Sequence, residues 1–248
     1  MKNNESNQSE NKQSLLSHLA ALRKVLIISA AAIGIAFAVV FYTCIDQLMS
    51  LLIRPIQDRG IDIIYTAMSE ALVTKLKVAI IAAVVLASPV VIWQIWSFVA
   101  PALYPKEKRN VILVFAIMLV LFLLGITFCY GAVYLLAVDF FLVSGENLAT
   151  PMLSIDKYIS FLFGFVIPFG IAFELPVILY ITTSLGLTNY KMLASKRKYM
   201  ILGVVVLAAV LTPPDVVSQV MLAIPILLLF EIGLLISRFV HPRDRAEE

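Results

Sequence analysis

The chain has 248 residues, 61% of them hydrophobic and 14% charged, with a net charge of +3. A soluble domain of this size needs a charged surface that this composition does not supply, and the apolar residues fall in runs of about 20, the length that crosses a ~30 Å hydrocarbon core. The chain therefore reads as a polytopic, all-α membrane protein. Its two cysteines, Cys44 and Cys129, exclude a disulfide framework or a cysteine metal cluster. They either pair or, the favoured reading, sit apart as small apolar core residues near the outer ends of their helices.

Residues Met1 to Gln13 are almost wholly polar and read as a disordered tail. They are too polar for the front of a secretory signal, and the apolar run behind them is too long for one. Ser14 can cap a helix. Leu15, Leu19, Leu22 and Leu26 then share one helix face, which predicts an amphipathic lead-in at the membrane surface, with Arg23 and Lys24 where it turns inward. The first span covers about Val25 to Cys44. Asp46 to Lys77 is the longest non-membrane segment; Pro55 and Gly60 punctuate it, and Ser69-Glu70 signals a helix start with an acid at the positive dipole end. The second span, Val78 to Val99, carries Pro89 at its middle, where a kink is expected. Trp93, Trp96 and Tyr104 form an aromatic belt at its far end.

A short charged loop follows, running from Phe98 to Arg109 and placing Glu107 among Lys106, Lys108 and Arg109. The third span is about Val111 to Val133, and an outer loop runs from about Asp139 to Tyr158. The fourth span, Ile159 to Ile181, holds Pro168, Glu174 and Pro176. A basic loop, Asn189 to Lys198, precedes a fifth span at Tyr199 to Leu211, whose 13 residues cover roughly 20 Å, too little for an ordinary bilayer. Thr212 to Asp215 is a tight outer turn. The sixth span, Val216 to Ile236, has a short uninterrupted apolar part at Val220 to Phe230, so the last two helices are expected to be short and to thin the bilayer. The division expected is one six-helix membrane domain over residues 14–240, between the disordered tail 1–13 and a charged tail 241–248.

Lysine and arginine placement sets the orientation. Four lie before the first span, three in the Glu107 loop, four around Ser195 and three at the C-terminus, so fourteen of nineteen share one side. Arg54, Arg59, Lys75, Lys77 and Lys157 lie on the other. Both termini are therefore expected in the cytoplasm, in agreement with six spans.

Glu174 is the first functional candidate, because an acid inside a span is costly and by default functional. Pro168 and Pro176 free the carbonyls of Gly164 and Ala172, and the site suits water, a proton or a polar partner. The competing structural reading is a protonated glutamic acid bonded to a freed carbonyl. Glu231, about two turns before Arg238, either reaches the interface as a functional acid or pairs with a neighbouring helix. Asp215 reads as a helix cap and Gln219 as polar glue between helices. Spacing alone makes Glu107 a solvated loop charge, unless a guanidinium comes to it.

There is no zinc-protease motif and no phosphate-cradling loop, and His18 and His241 both lie outside the spans. Intramembrane proteolysis and ATP hydrolysis have no residues to run on. Neither a cofactor nor a metal is expected, and the few interleaved basic and aromatic residues argue against nucleic acid. A proton-coupled solute transporter using Glu174 is the alternative that residue chemistry allows.

Three motifs carry a resemblance that spans about Leu15 to Val240. They are Ser88-Pro-Val-Val-Ile-Trp-Gln-Ile-Trp-Ser-Phe-Val-Ala-Pro-Ala-Leu-Tyr104 with Glu107 and Arg109, then Phe169-Gly-Ile-Ala-Phe-Glu-Leu-Pro176, and Leu211-Thr-Pro-Pro-Asp-Val-Val-Ser-Gln219. Ala223-Ile-Pro225 and Phe230-Glu-Ile-Gly233 extend it. The sequence resembles the TatC family, multispanning receptors of the twin-arginine protein translocase. The resemblance implies six helices in a concave, cupped wall, with no enzymatic activity and energy from the proton-motive force. It implies that Glu107 binds the paired arginines of signal peptides on folded cargo, with Phe98, Tyr104, Arg23 and His18 contributing. Pro55 and Pro89 enter as recognition or shape residues, and Glu174 as a residue facing the concave side. Implied partners are TatB-like and TatA-like single-span proteins at the last two spans, with self-association within an inner membrane.

One departure is expected to matter. Family members read His-Leu-x-Glu-Leu-Arg in the lead-in, where this chain reads His18-Leu-Ala-Ala-Leu-Arg23. Ala21 stands in place of the second carboxylate, so two guanidinium groups face one acid plus neutral acceptors or another acid such as Glu10.

Overall fold

The computed structural model describes the backbone of residues 2–103, 108–145, 151–212 and 215–240, and the side chains of residues 20–98, 111–145, 151–212 and 215–240. The chain is helical almost throughout. Helix α1, Lys2–Val39, passes through a π-helical turn, Val40–Cys44, into α2, Ile45–Gln57. The polar stretch expected as an unstructured tail is helical from Lys2 on. It contains no glycine or proline to stop a helix, and Ser14 consequently lies within α1 rather than at its start.

Gly60 then closes α2 with a φ of +75°. Its N–H reaches the Gln57 carbonyl at 2.9 Å and the Ile61 N–H reaches Ile56 at 3.3 Å, the paired bonds of a glycine-terminated helix. Strand β1, Ile63–Ile64, pairs in parallel with β2, Leu153–Ser154. Helix α3, Glu70–Leu103, remains helical through Pro89. Helix α4, Lys108–Phe128, continues through a second π-helical turn, Cys129–Tyr134, into α5, Leu135–Gly145. The third apolar segment is therefore helical well past Val133, into what read as outer loop. Helices α6, Ile155–Ala172, and α7, Leu175–Ser184, are separated by a break at Phe173 and Glu174. A short α8, Tyr190–Ser195, leads to α9, Arg197–Leu211, and α10, Val216–Phe239.

Five helical stretches are long and apolar enough to cross a membrane: Ala20–Gln57, Glu70–Phe98, Val111–Gly145, Ile155–Ser184 and Val216–Phe239. Helix α9 is not among them; its 15 residues rise roughly 22 Å. Helix α10 departs from expectation. It has 24 residues, ample for a ~30 Å core, although its unbroken apolar run is short. That run is bounded by Gln219 and Glu231, and neither Glu231 nor Pro225 within the run ends the helix.

Helices α6 and α7 form the centre, with 67% of their most apolar window buried against 11% for the α1–α2 stretch. Phe165 and Phe169 are fully buried. Close approach at this centre needs glycine. A Cβ on Gly125 of α4 would lie 2.8 Å from the Phe169 carbonyl oxygen, and one on Gly164 of α6 only 2.6 Å from that of Leu211. Helix α1 packs on α3 through Ala36, Ala83 and Ala87. Helix α10 packs on both α7 and α9.

The end carrying β1 and β2 is tied by polar groups. The Glu70 carboxylate accepts from the Thr66 N–H at 2.5 Å, the Ala67 N–H at 3.2 Å and the Asp156 N–H at 3.1 Å, and from the Ser154 hydroxyl. Arg59 grips Asp139 through Nε at 2.6 Å and Nη2 at 3.0 Å. That pairing raises the guanidinium pKa above its ordinary value. Lys75 pairs with Asp46 at 2.6 Å, and Lys77 pairs with Asp156. Cys44 and Cys129 are both free thiols, and Cys129 is buried.

Candidate functional site

The loop bearing Glu107 is held from both flanks. Trp96, in the last turns of α3, is 1% exposed, and its indole N–H donates to the Val111 carbonyl in the first turn of α4 at 2.6 Å. Three residues earlier, Trp93 meets Phe115 edge-on with ring centroids 5.0 Å apart. Ile92, Trp96, Val114 and Met118 pack with Val177 and Ile181 of α7 into one cluster. The loop flanks therefore rest on the helix that follows Glu174. Phe98, two residues beyond Trp96, is half-buried. Tyr104 and Glu107 lie outside the described residues, as does the side chain of His18.

Arg23 is exposed on α1, as is Ala21. Arg23 and Lys24 line a surface hollow with Ala20, Ile27 and Ile28.

Glu174 occupies the break between α6 and α7. Its N–H bonds the Ile171 carbonyl at 3.1 Å, and its own carbonyl starts α7 by accepting from Ile178 at 2.9 Å. Pro176 stands in the first turn of α7, where no N–H is required. The residue is 9% exposed, and neither carboxyl oxygen has a hydrogen-bond partner among the described residues. The bond to a freed carbonyl, one of the two sequence readings, is not formed. An uncompensated buried carboxyl is expensive, which sets Glu174 apart from the paired acids of the chain.

The other candidates divide clearly. Glu231 pairs with Arg197 of α9 at 2.7 Å, each side chain about half exposed, which is the helix-pairing reading. Asp215 caps α10, accepting from the Ser218 N–H at 2.7 Å and the Ser218 hydroxyl at 2.5 Å. Gln219 donates from Nε2 to the Val205 carbonyl of α9 at 3.0 Å. Pro55 lies within α2, and its carbonyl accepts from Arg59 Nη1 at 2.6 Å. Pro89 is exposed on α3. Pro176 is buried where α10 comes closest: a Cβ on Gly233 would lie 3.2 Å from its Cα and 2.6 Å from Leu179 Cδ1. Glu174 sits at the α6–α7 break, while Glu231 joins α9 to α10. Sequence reasoning missed the full reach of Glu70. Its position at a helix start was visible, but its partners at Ser154 and Asp156 are more than eighty residues away.

These features describe a multi-span helical membrane protein in which α3 and α4 are tied together beside the Glu107 segment and a buried acid lies at a helix break, with no constellation for bond-making chemistry among the described residues. The family profile for "Sec-independent protein translocase protein (TatC)" matches residues 17–225. The chain is 43% identical over 235 residues to the Sec-independent protein translocase protein TatC of Carboxydothermus hydrogenoformans, covering 94% of this chain and 96% of that one. It is 34% identical over 241 residues to the TatC protein of Escherichia coli K12, covering 96% and 93%. A crystal structure titled as the twin-arginine translocase receptor TatC superposes with a TM-score of 0.83 at 40% identity, over 89% of this chain and 97% of the other. The chain belongs to the TatC family of protein-translocase subunits. It is a transport component rather than an enzyme, and the solute-transporter alternative is set aside.

Proposed function

We propose that this protein is the signal-peptide receptor of a twin-arginine translocase. Glu107 is the acid that receives the paired arginines, with Phe98, Tyr104, Arg23 and His18 around it. The observation that carries this reading is the Trp96–Val111 bond. It joins the ends of α3 and α4 on either side of Glu107 and packs them against α7, and bidentate guanidinium recognition favours an acid flanked by rigid elements. The fifteen-residue α9 completes six traverses, with both termini and the Glu107 loop in the cytoplasm and the β1–β2 end outside. Residues 14–240 act as one concave membrane domain with the polar segments 1–13 and 241–248 outside the bilayer. The membrane is the inner, cytoplasmic one, and the proton-motive force supplies the energy.

TatB-like and TatA-like single-span partners dock where α9 and α10 present Gln219 and the Arg197–Glu231 pair, and Glu174 meets a polar group from such a partner or cargo within the concave face. Copies of the receptor self-associate. The test is Glu107→Gln, which removes the charge and keeps the shape. Export of a folded twin-arginine reporter is expected to stop while the protein still accumulates in the membrane; normal export overturns the assignment.

A further inference from the structure

A cleft of about 530 Å³ lies between α2, α3, α4 and α6, with walls that are almost entirely apolar. Both π-helical turns contribute to it, the first through Val40 and Cys44 and the second through Tyr130. Leu51 and Leu86 stand at its mouth, 55% and 57% exposed. The polar atoms in its wall are already engaged: the Thr127 hydroxyl donates to Leu123 at 2.8 Å and the Tyr130 hydroxyl to Leu51 at 3.2 Å. The Cys44 thiol lies against the Thr43 hydroxyl at 3.0 Å. The cleft thus offers an incoming molecule almost no hydrogen bonds, which disfavours water and polar solutes.

We propose that this cleft holds one acyl chain of a phospholipid, whose phosphate lies at Lys75. Three observations select this occupant. The cleft is cut into four membrane-crossing stretches and opens at its side, so hydrocarbon is the medium that reaches it. Its size suits a chain rather than a single small molecule: the roughly 530 Å³ is many times the ~10–15 Å³ of such space that one water needs. Charge is placed to match. Lys75 lies one turn before Val78 of the cleft wall, its side chain 40% exposed and salt-bridged to Asp46, two residues from Cys44. A phosphate at this rim meets an ammonium that Asp46, 81% exposed, holds only weakly. An anionic lipid is therefore favoured.

The test reconstitutes the full chain in vesicles of phosphatidylethanolamine and phosphatidylglycerol doped with a phosphatidylglycerol carrying a diazirine at mid-chain. Adducts are mapped by peptide mass spectrometry. Adducts are expected to concentrate on Leu48, Val85 and Ile126, several-fold above lipid-facing controls such as Leu202. Ala82→Phe, which puts a ring into the cleft, is expected to lower them several-fold without changing the controls. Should that variant fail to fold, Lys75→Ala leaves the walls intact and is expected to abolish the preference for a phosphatidylglycerol probe over a phosphatidylcholine probe. Even labelling along all apolar helix faces overturns the proposal. So does unchanged labelling in Ala82→Phe, or in Lys75→Ala where Ala82→Phe does not fold. Displacement of the lipid adducts by a twin-arginine signal peptide carrying the same diazirine also overturns it, and assigns the cleft to a peptide.

Discussion

The indole N–H of Trp96 donates to the Val111 carbonyl at 2.6 Å and so joins the end of α3 to the start of α4 across the loop that carries Glu107. Replacing Trp96 with Phe keeps an aromatic ring in the cluster and removes this bond, a loss of about 1 kcal/mol, or roughly five-fold in affinity. Signal-peptide crosslinking titrations are expected to show that weakening. Trp93→Phe, which retains an aromatic ring against Phe115, is expected to leave the titration unchanged.

Ala21 stands on the exposed face of α1, two residues from Arg23. Restoring the acid with Ala21→Glu adds a second carboxylate for a second guanidinium. A charge-assisted hydrogen bond is worth about 1.5–3 kcal/mol, so signal-peptide affinity is expected to rise about 10- to 150-fold. Unchanged affinity in a direct titration means that another group already fills the role.

Gly164 and Gly203 make a matched pair. A Cβ at Gly164 meets the rigid Leu211 carbonyl at 2.6 Å, whereas one at Gly203 has nothing within 4 Å. Gly164→Ala must push α9 away from α6, at a cost of about 1–3 kcal/mol. Gly203→Ala relieves a flexible helical residue and gains up to about 1 kcal/mol. Thermal unfolding in detergent is expected to move in opposite directions for the two variants.

Glu70 holds the β1 segment and the start of α6 with one carboxylate. Glu70→Gln replaces a charged acceptor with an amide that has one acceptor oxygen. Hydrogen exchange is expected to speed up at the amides of Thr66, Ala67 and Asp156 together, with α4 unaffected. Unaltered exchange at Asp156 excludes the clasp.

How far the sequence could be read depended on the range of each interaction. The membrane spans, the Asp215 cap and the start of α3 at Glu70 were all legible, because apolar run length, helix capping and dipole preference act within a few residues. The short α9 was legible for the same reason. The bounds of α10 were legible to within three residues, but the expectation that it would be short was not met: it was drawn from an apolar run ending at Glu231, and the helix continues past that acid, which pairs with Arg197 of the neighbouring helix. The motif around Trp96 marked the family from the sequence, but the bond to Val111 needed the ends of α3 and α4 to be packed side by side. Glu174 announced itself as an acid in an apolar run. That both of its oxygens lack partners among the described residues depends on how α6 and α7 break and what packs over the break. Sequence by itself determined what local energetics determine: which segments are apolar enough for a membrane, where α3 and α10 begin, and which charges are out of place. Tertiary structure decided which of those charges are paired, where glycine lets backbones touch, and where a cleft remains between helices. Those outcomes depend on contacts between residues far apart in the chain, and one sequence does not specify them position by position.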